Sequence, residues 1–177
     1  MQKLPIQFEE EMQHLLGDEY ETFLESYDKK PNSGLRVNTN KIKPEDFCEK
    51  VPYPLESVAW ISNGFRYEGE TLSKDPYYYA GLYYLQEPSA MTPANLLPIE
   101  PGDKVLDLCA APGGKTFAAA IYLDNTGSIV SCDPNPSRLV LIENGAKRLG
   151  FDNITTLENL GQNYREDLGG KDVIICD

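Results

Sequence analysis

Val105-Leu106-Asp107-Leu108-Cys109-Ala110-Ala111-Pro112-Gly113-Gly114-Lys115-Thr116 runs from an apolar stretch into a carboxylate. It then passes through a bend of small residues into a helical pattern that reaches Leu123. Strand, tight turn and helix follow one another without a gap. Small residues at such a turn let backbone N–H groups come close to a bound molecule, and the start of the next helix favours a negative group there.

The same alternation continues downstream. Strands are expected over 104–109, 128–133, 153–157 and 172–177, and helices over 114–123 and 136–149. In the second helix Leu139, Ile142, Ala146 and Leu149 share a face. Strands alternating with helices imply an α/β chain with a parallel, doubly wound sheet. The last run, Asp172-Val173-Ile174-Ile175-Cys176-Asp177, has the composition of a buried strand and ends in a carboxylate. A doubly wound sheet seldom stops at such a strand, whose far side would have no cover. The expectation is a piece of a longer protein, cut after the fourth strand of the sheet.

Upstream the pattern is different. Pro5 to Leu16 reads as an amphipathic helix with Phe8, Met12, Leu15 and Leu16 on one face. A second helix, Glu19 to Tyr27, groups Tyr20, Phe23, Leu24 and Tyr27. Leu35 to Asn38 reads as a strand, Pro44 opens a short helix, and Asn63-Gly64 marks a hairpin within 58–67. These elements suggest a small α+β domain over 1–72, followed by the α/β part over 73–177. Asp75 to Leu97 reads as aromatic and helical, interrupted near Pro88. Its tyrosines Tyr77, Tyr78, Tyr79, Tyr83 and Tyr84 are read first as packing and only second as stacking surfaces for a ligand.

The chain has 177 residues, 41% of them hydrophobic, so a packed core is within reach and wholesale disorder is not expected. A formal net charge of -12 argues weakly against a nucleic-acid binder, which normally shows a basic face. The cysteines are Cys48, Cys109, Cys132 and Cys176, with no C-x-x-C and only His14 as a histidine. This argues against a zinc site, and no metal is expected. Cys109, Cys132 and Cys176 fall at strand ends, where small buried residues are common. His14 lies on a polar helix face and is not a candidate general base. Met1 to Leu16 lacks a basic-then-apolar signal pattern and no apolar run is long enough for a bilayer, so the expected address is the cytoplasm.

Three ligand classes compete for the glycine turn. A phosphate-cradling loop needs G-x-x-x-x-G-K-[ST], and its first glycine would fall on Cys109. A dinucleotide fingerprint needs G-x-G-x-x-G, which Ala110 to Gly114 does not supply. S-adenosylmethionine, which has no phosphate, fits better. The bend and Lys115 suit its carboxylate, and Asp107 lies near its ammonium. Asp133, ending the next strand, suits both ribose hydroxyls; a helix cap before Pro134 is the competing reading. Glu158-Asn159 ends the third strand and places a polar group for adenine, with a plain loop equally open.

Three blocks resemble the Nop/Sun family of RNA cytosine-5 methyltransferases, most closely its bacterial ribosomal RNA branch. They are Asp107 to Thr116, Gly34-Leu35-Arg36-Val37-Asn38-Thr39 and Tyr84-Leu85-Gln86-Glu87-Pro88-Ser89-Ala90-Met91. Order and spacing agree across nearly the whole chain. The resemblance implies a class I, Rossmann-like methyltransferase fold with a small N-terminal RNA-contacting domain, and ribosomal RNA as partner. It implies cofactor roles for Cys109, Ala110, Ala111, Pro112, Gly113, Gly114, Lys115, Asp133 and Asp177. It also implies one for Asn159, which stands where relatives often have aspartate. Arg36 and Asn38 are candidate RNA contacts, with a solvated strand as the even alternative. In the family one cysteine thiolate adds to cytosine C6 and a second assists release; both lie beyond Asp177. Cys109 and Cys176 are rejected as substitutes, so this chain carries no expected catalytic residue. The alternative is a non-catalytic cofactor- or RNA-binding module of the same fold.

Overall fold

The computed structural model describes residues 4–69 and 72–177. Residues 1–3, and residues 70–71 just before the expected domain boundary, lie outside the description. The chain forms two compact units that divide between Asn32 and Ser33.

The first unit is a pair of helices, α1 (Ile6–Leu16) and α2 (Tyr20–Ser26), joined by a single 3₁₀ turn. Pro5 precedes α1 with extended backbone, as its fixed φ allows. The aromatic face foreseen in the sequence forms a ladder. Phe23 sits 6.2 Å from Phe8, 6.4 Å from Tyr20 and 5.3 Å from Tyr27, measured between ring centroids.

The second unit begins with β1 (Ser33–Val37), α3 (Pro44–Lys50), β2 (Glu56–Ser57), β3 (Gly64–Tyr67), α4 (Pro76–Tyr79), β4 (Tyr83–Leu85) and α5 (Thr92–Asn95). Its antiparallel sheet has the order β2-β3-β1-β4. Two expectations change here. The hairpin is not a tight turn at Asn63-Gly64. Glu56 and Ser57 pair with Arg66 and Phe65, and residues 58–63 bulge so that Val58 and Ile61 can pack with Met91. Residues 75–97 are not helical throughout. Gly81, at φ +71°, ends α4, and Tyr83–Leu85 then pairs with Val37–Leu35. The small sheet therefore takes its fourth strand from beyond residue 72. Neither that boundary nor a break inside 73–177 separates compact units.

The rest is β5 (Lys104–Asp107), α6 (Gly114–Tyr122), β6 (Ser128–Asp133), α7 (Pro136–Leu149), β7 (Ile154–Glu158) and β8 (Val173–Ile175). All strand pairs are parallel, in the order β7-β6-β5-β8. Val105, Ile129, Val173 and Ile175 meet Phe117, Ala119 and Ala120 of α6, Leu123 just after it, and the Leu139, Ile142, Ala146 and Leu149 face of α7. Each large aliphatic side chain buried there contributes about 1.5–3 kcal/mol. Ala118–Ala120 are fully buried, which lets α6 lie close to the strands. No helix among the described residues is long and apolar enough to cross a membrane, and no group of three or more His, Cys, Asp or Glu among them could hold a metal ion.

Candidate cofactor site

Parallel register aligns the C-terminal ends of β5, β6 and β8, and each end delivers an aspartate: Asp107, Asp133 and, two residues past Ile175, Asp177. Asp107 is 1% exposed. Thr116 Oγ1 donates to its Oδ2 at 2.7 Å, and Ser131 Oγ lies 3.0 Å from the same hydroxyl. The single threonine proton is spent on the carboxylate, so Ser131 is the donor to Thr116. The second oxygen, Oδ1, is buried without a hydrogen-bond partner. Burial raises the Asp107 carboxyl above its ordinary value; the Thr116 hydroxyl, the nearby Cys109 N–H and the Lys115 charge pull it back only in part. A buried carboxylate with an open oxygen is costly unless a donor comes to it.

The bend follows directly. Ala110 N–H donates to Cys132 O on β6 at 2.9 Å, and Gly113 N–H donates to Ala110 O at 2.7 Å. Gly113 takes φ +111°, where a Cβ would stand 2.6 Å from the Phe117 ring. Phe117 N–H bonds to Gly113 O, closing the first turn of α6. Helix geometry leaves the N–H groups of Gly114, Lys115 and Thr116 with no acceptor in their own helix. Lys115 Nζ reaches across to Asp177 Oδ2 at 2.6 Å. These two residues, expected separately to touch cofactor, meet each other.

Asp133 is 2% exposed, with Oδ1 accepting the Asn135 N–H at 3.0 Å and Oδ2 paired with Arg138 Nη1 at 3.0 Å. The cap of α7 is Asn135, whose Oδ1 accepts from Ser137 N–H at 3.0 Å. The cap reading of Asp133 therefore fails, and each of its oxygens keeps a lone pair. Asn159 follows β7, and its N–H donates to the Asp133 carbonyl at 3.3 Å, so the third strand does bring it beside Asp133.

A groove of about 650 Å³ adjoins the outer side of the bend, with Tyr84, Gln86, Pro112, Lys115, Leu141 and Arg148 among its walls. Neither Asp107 nor Asp133 lines it.

Against known proteins, residues 4–88 match the family model of the N-terminal domain of 16S rRNA methyltransferase RsmF, and residues 94–177 match the model of 16S rRNA methyltransferase RsmB/F. The chain belongs to the RsmB/F branch of the Nop/Sun methyltransferases. A relative in this branch, the ribosomal RNA small subunit methyltransferase F of Erwinia tasmaniensis, is 36% identical over 162 residues, covering 84% of this chain and 34% of its own. A mouse 28S rRNA (cytosine-C(5))-methyltransferase is 32% identical over 161 residues, covering 88% of this chain and 20% of its own. A crystal structure of a methyltransferase homolog from Pyrococcus horikoshii superposes with a TM-score of 0.80 at 30% identity, over 89% of this chain and 53% of that one. The chain thus spans about a third of the length of the bacterial curated relatives. Its fold is the class I, Rossmann-like fold of S-adenosylmethionine-dependent methyltransferases.

Two expected RNA contacts are corrected. Arg36 and Asn38 are each 0% exposed. Arg36 lies beneath Met91 O and 5.9 Å from the Tyr122 ring centroid, while Asn38 Nδ2 donates to Gly81 O at 3.1 Å and Leu149 O at 2.9 Å. Strand β1 is covered on both faces, so neither side chain is the solvated strand residue, or the open surface contact, that the sequence suggested. The cysteines also divide. Cys132 is buried as expected, but Cys109 and Cys176 are exposed. Desolvation, reinforced by the neighbouring Cys176, pushes the Cys109 thiol up, which is the wrong direction for a nucleophile. Sequence reasoning missed Arg138, Thr116 and Ser131. Only the position of Arg138, one turn into α7, hinted at a role.

Proposed function

We propose that this chain supplies the S-adenosylmethionine site of a ribosomal RNA (cytosine-5) methyltransferase acting in the cytoplasm. The observation that carries this is the trio of aspartates at the strand ends, one of them buried with an open oxygen. Asp133 and Asp177 are paired with Arg138 and Lys115, so Asp107 is the carboxylate whose charge is left for a ligand. Its buried, open oxygen repels a phosphate and attracts an ammonium. Asp107 Oδ1 accepts from the ammonium, and the free N–H groups at the start of α6 face the amino-acid carboxylate. Asp133 takes the ribose hydroxyls on its remaining lone pairs, and Asn159 stands beside it for the adenine edge. Lys115 and Asp177 form an ion pair beside the bend.

When bound, the cofactor supplies the methyl group. Ribosomal RNA as acceptor, and C5 of cytosine as the atom, are supported by the names of the bacterial and mouse relatives. Within this chain no cysteine is placed as the nucleophile: burial pushes up the Cys48, Cys109 and Cys132 thiols, and Cys176 sits at a strand end beside Cys109. The 177-residue chain should bind cofactor and transfer no methyl group. Titration calorimetry should show S-adenosylmethionine binding that Asp133→Ala weakens by roughly tenfold or more, the worth of lost hydrogen bonds to a charged group. Equal affinity for Asp133→Ala would remove the ribose assignment. Tighter binding of ATP would overturn the cofactor class, and labelled methyl incorporation into ribosomal RNA by this chain would contradict its inactivity.

A further inference from the structure

Arg138 stands outside the residues assigned to the cofactor, yet it touches both halves of the site. Its Nη1 pairs with Asp133 Oδ2 at 3.0 Å, and its Nη2 donates to the Ala111 carbonyl at 2.6 Å. Asp133 belongs to the end of β6. Ala111 belongs to the bend after β5. One guanidinium thus spans the strand end that faces the sugar and the loop that faces the amino-acid tail. We propose that Arg138 is a positioning residue that locks the bend to Asp133 and so sets the spacing between the two ends of the cofactor pocket. This rests on the cofactor reading given above.

Asp133 has two oxygens that must present their free lone pairs in one direction. Asn135 N–H fixes the first and Arg138 fixes the second. Without the guanidinium the carboxylate can rotate about its last torsion, which is intrinsically soft. The bend carbonyl would lose its only side-chain donor among the described hydrogen bonds. The rigid fork of arginine serves two acceptors at a fixed angle, which a lysine ammonium on a flexible stem does not reproduce. The Arg138 side chain is 49% exposed but Asp133 is buried, so removing the guanidinium costs some stability by leaving a buried carboxylate short of a partner. Its effect on geometry is read separately, by ligand affinity.

Calorimetric titration of the 177-residue chain with S-adenosylhomocysteine tests this. Arg138→Met should bind about tenfold or more weakly than wild type while still unfolding in one cooperative transition, and Asp133→Asn, which removes the buried charge, should recover stability in the Arg138→Met background without recovering affinity. Arg138→Lys should recover only part of the loss, and it carries the test should Arg138→Met not fold. Asp133→Asn combined with Arg138→Met should be no more than about twofold weaker than Asp133→Asn alone, because the arginine acts through the carboxylate. Full multiplication of the two losses, or an Arg138→Met affinity within twofold of wild type, would overturn the inference. Absence of binding by the wild-type chain would remove the cofactor reading itself, a separate result from wild-type binding that Arg138 variants leave intact.

Discussion

Asp107 is the residue at which burial and chemistry conflict most. Burial raises its folded pKa above the unfolded value. In the empty protein its contribution to stability is therefore fully present below the unfolded pKa and is lost as pH rises through the raised folded pKa. A cationic ligand at Oδ1 favours the ionised form. Binding must then expel the proton wherever Asp107 still holds one, and cofactor affinity should rise with pH across that interval. Calorimetry at a series of pH values, in buffers of different ionisation enthalpy, should show proton release on binding at the acid end. Asp107→Asn should bind weakly and show no such slope in that window; a flat wild-type profile would count against the ammonium contact. At this scale the sequence made Asp107, the bend and Asp133 readable because each sits where a strand stops. Arg36 and Asn38 were misread for a physical reason. Alternation shows which residues share a face of a strand, but not which face is covered, and β1 is covered on both.

Among the elements, the bend depends on one backbone conformation. Gly113 adopts φ +111°, and a methyl group there would press within 2.6 Å of the Phe117 ring, which also packs on Tyr84 at 5.6 Å between centroids. Gly113→Ala adds backbone strain and overpacking, each costing about 1–3 kcal/mol. It should lower the urea midpoint and weaken S-adenosylmethionine binding together, because the first turn of α6 starts from this residue. Gly102→Ala is the control. It shares a positive φ but has nothing within 4 Å of its added carbon, so it should lose stability and keep affinity. The long, periodic elements were legible: α7 spans the expected Pro136–Leu149 and buries the expected four residues. Residues 75–97 were not, because the aromatic run that suggests a helix is divided by Gly81. A side chain on that glycine would run into the Arg148 carbonyl, a clash only the folded chain reveals.

Across the whole of residues 33–177, the antiparallel and parallel sheets are joined at the C-terminus of α7. Lys41 Nζ donates to Ala80 O at 2.9 Å and Arg148 O at 3.2 Å, while Arg148 Nη1 donates to Tyr78 O at 2.6 Å and Tyr83 O at 3.0 Å. Asn38 completes the junction from the end of β1, its amide shared between Gly81 O and Leu149 O. Cationic and amide donors thus satisfy the carbonyls that a helix end leaves open and face the negative end of its dipole. This long-range joining ties the antiparallel sheet to the end of α7. Asn38→Ala removes the amide and leaves buried carbonyls short of donors, at a cost of about 1–3 kcal/mol. In a domain of this size that lowers the melting temperature by roughly 2–4 °C per kcal/mol. Asn38→Asp should be worse still, since a carboxylate in the same place repels both carbonyls. Scanning calorimetry separates this from a nucleic-acid role. A surface contact to RNA would leave both variants melting with wild type, whereas the buried junction requires them to fall in the order wild type, Ala, Asp.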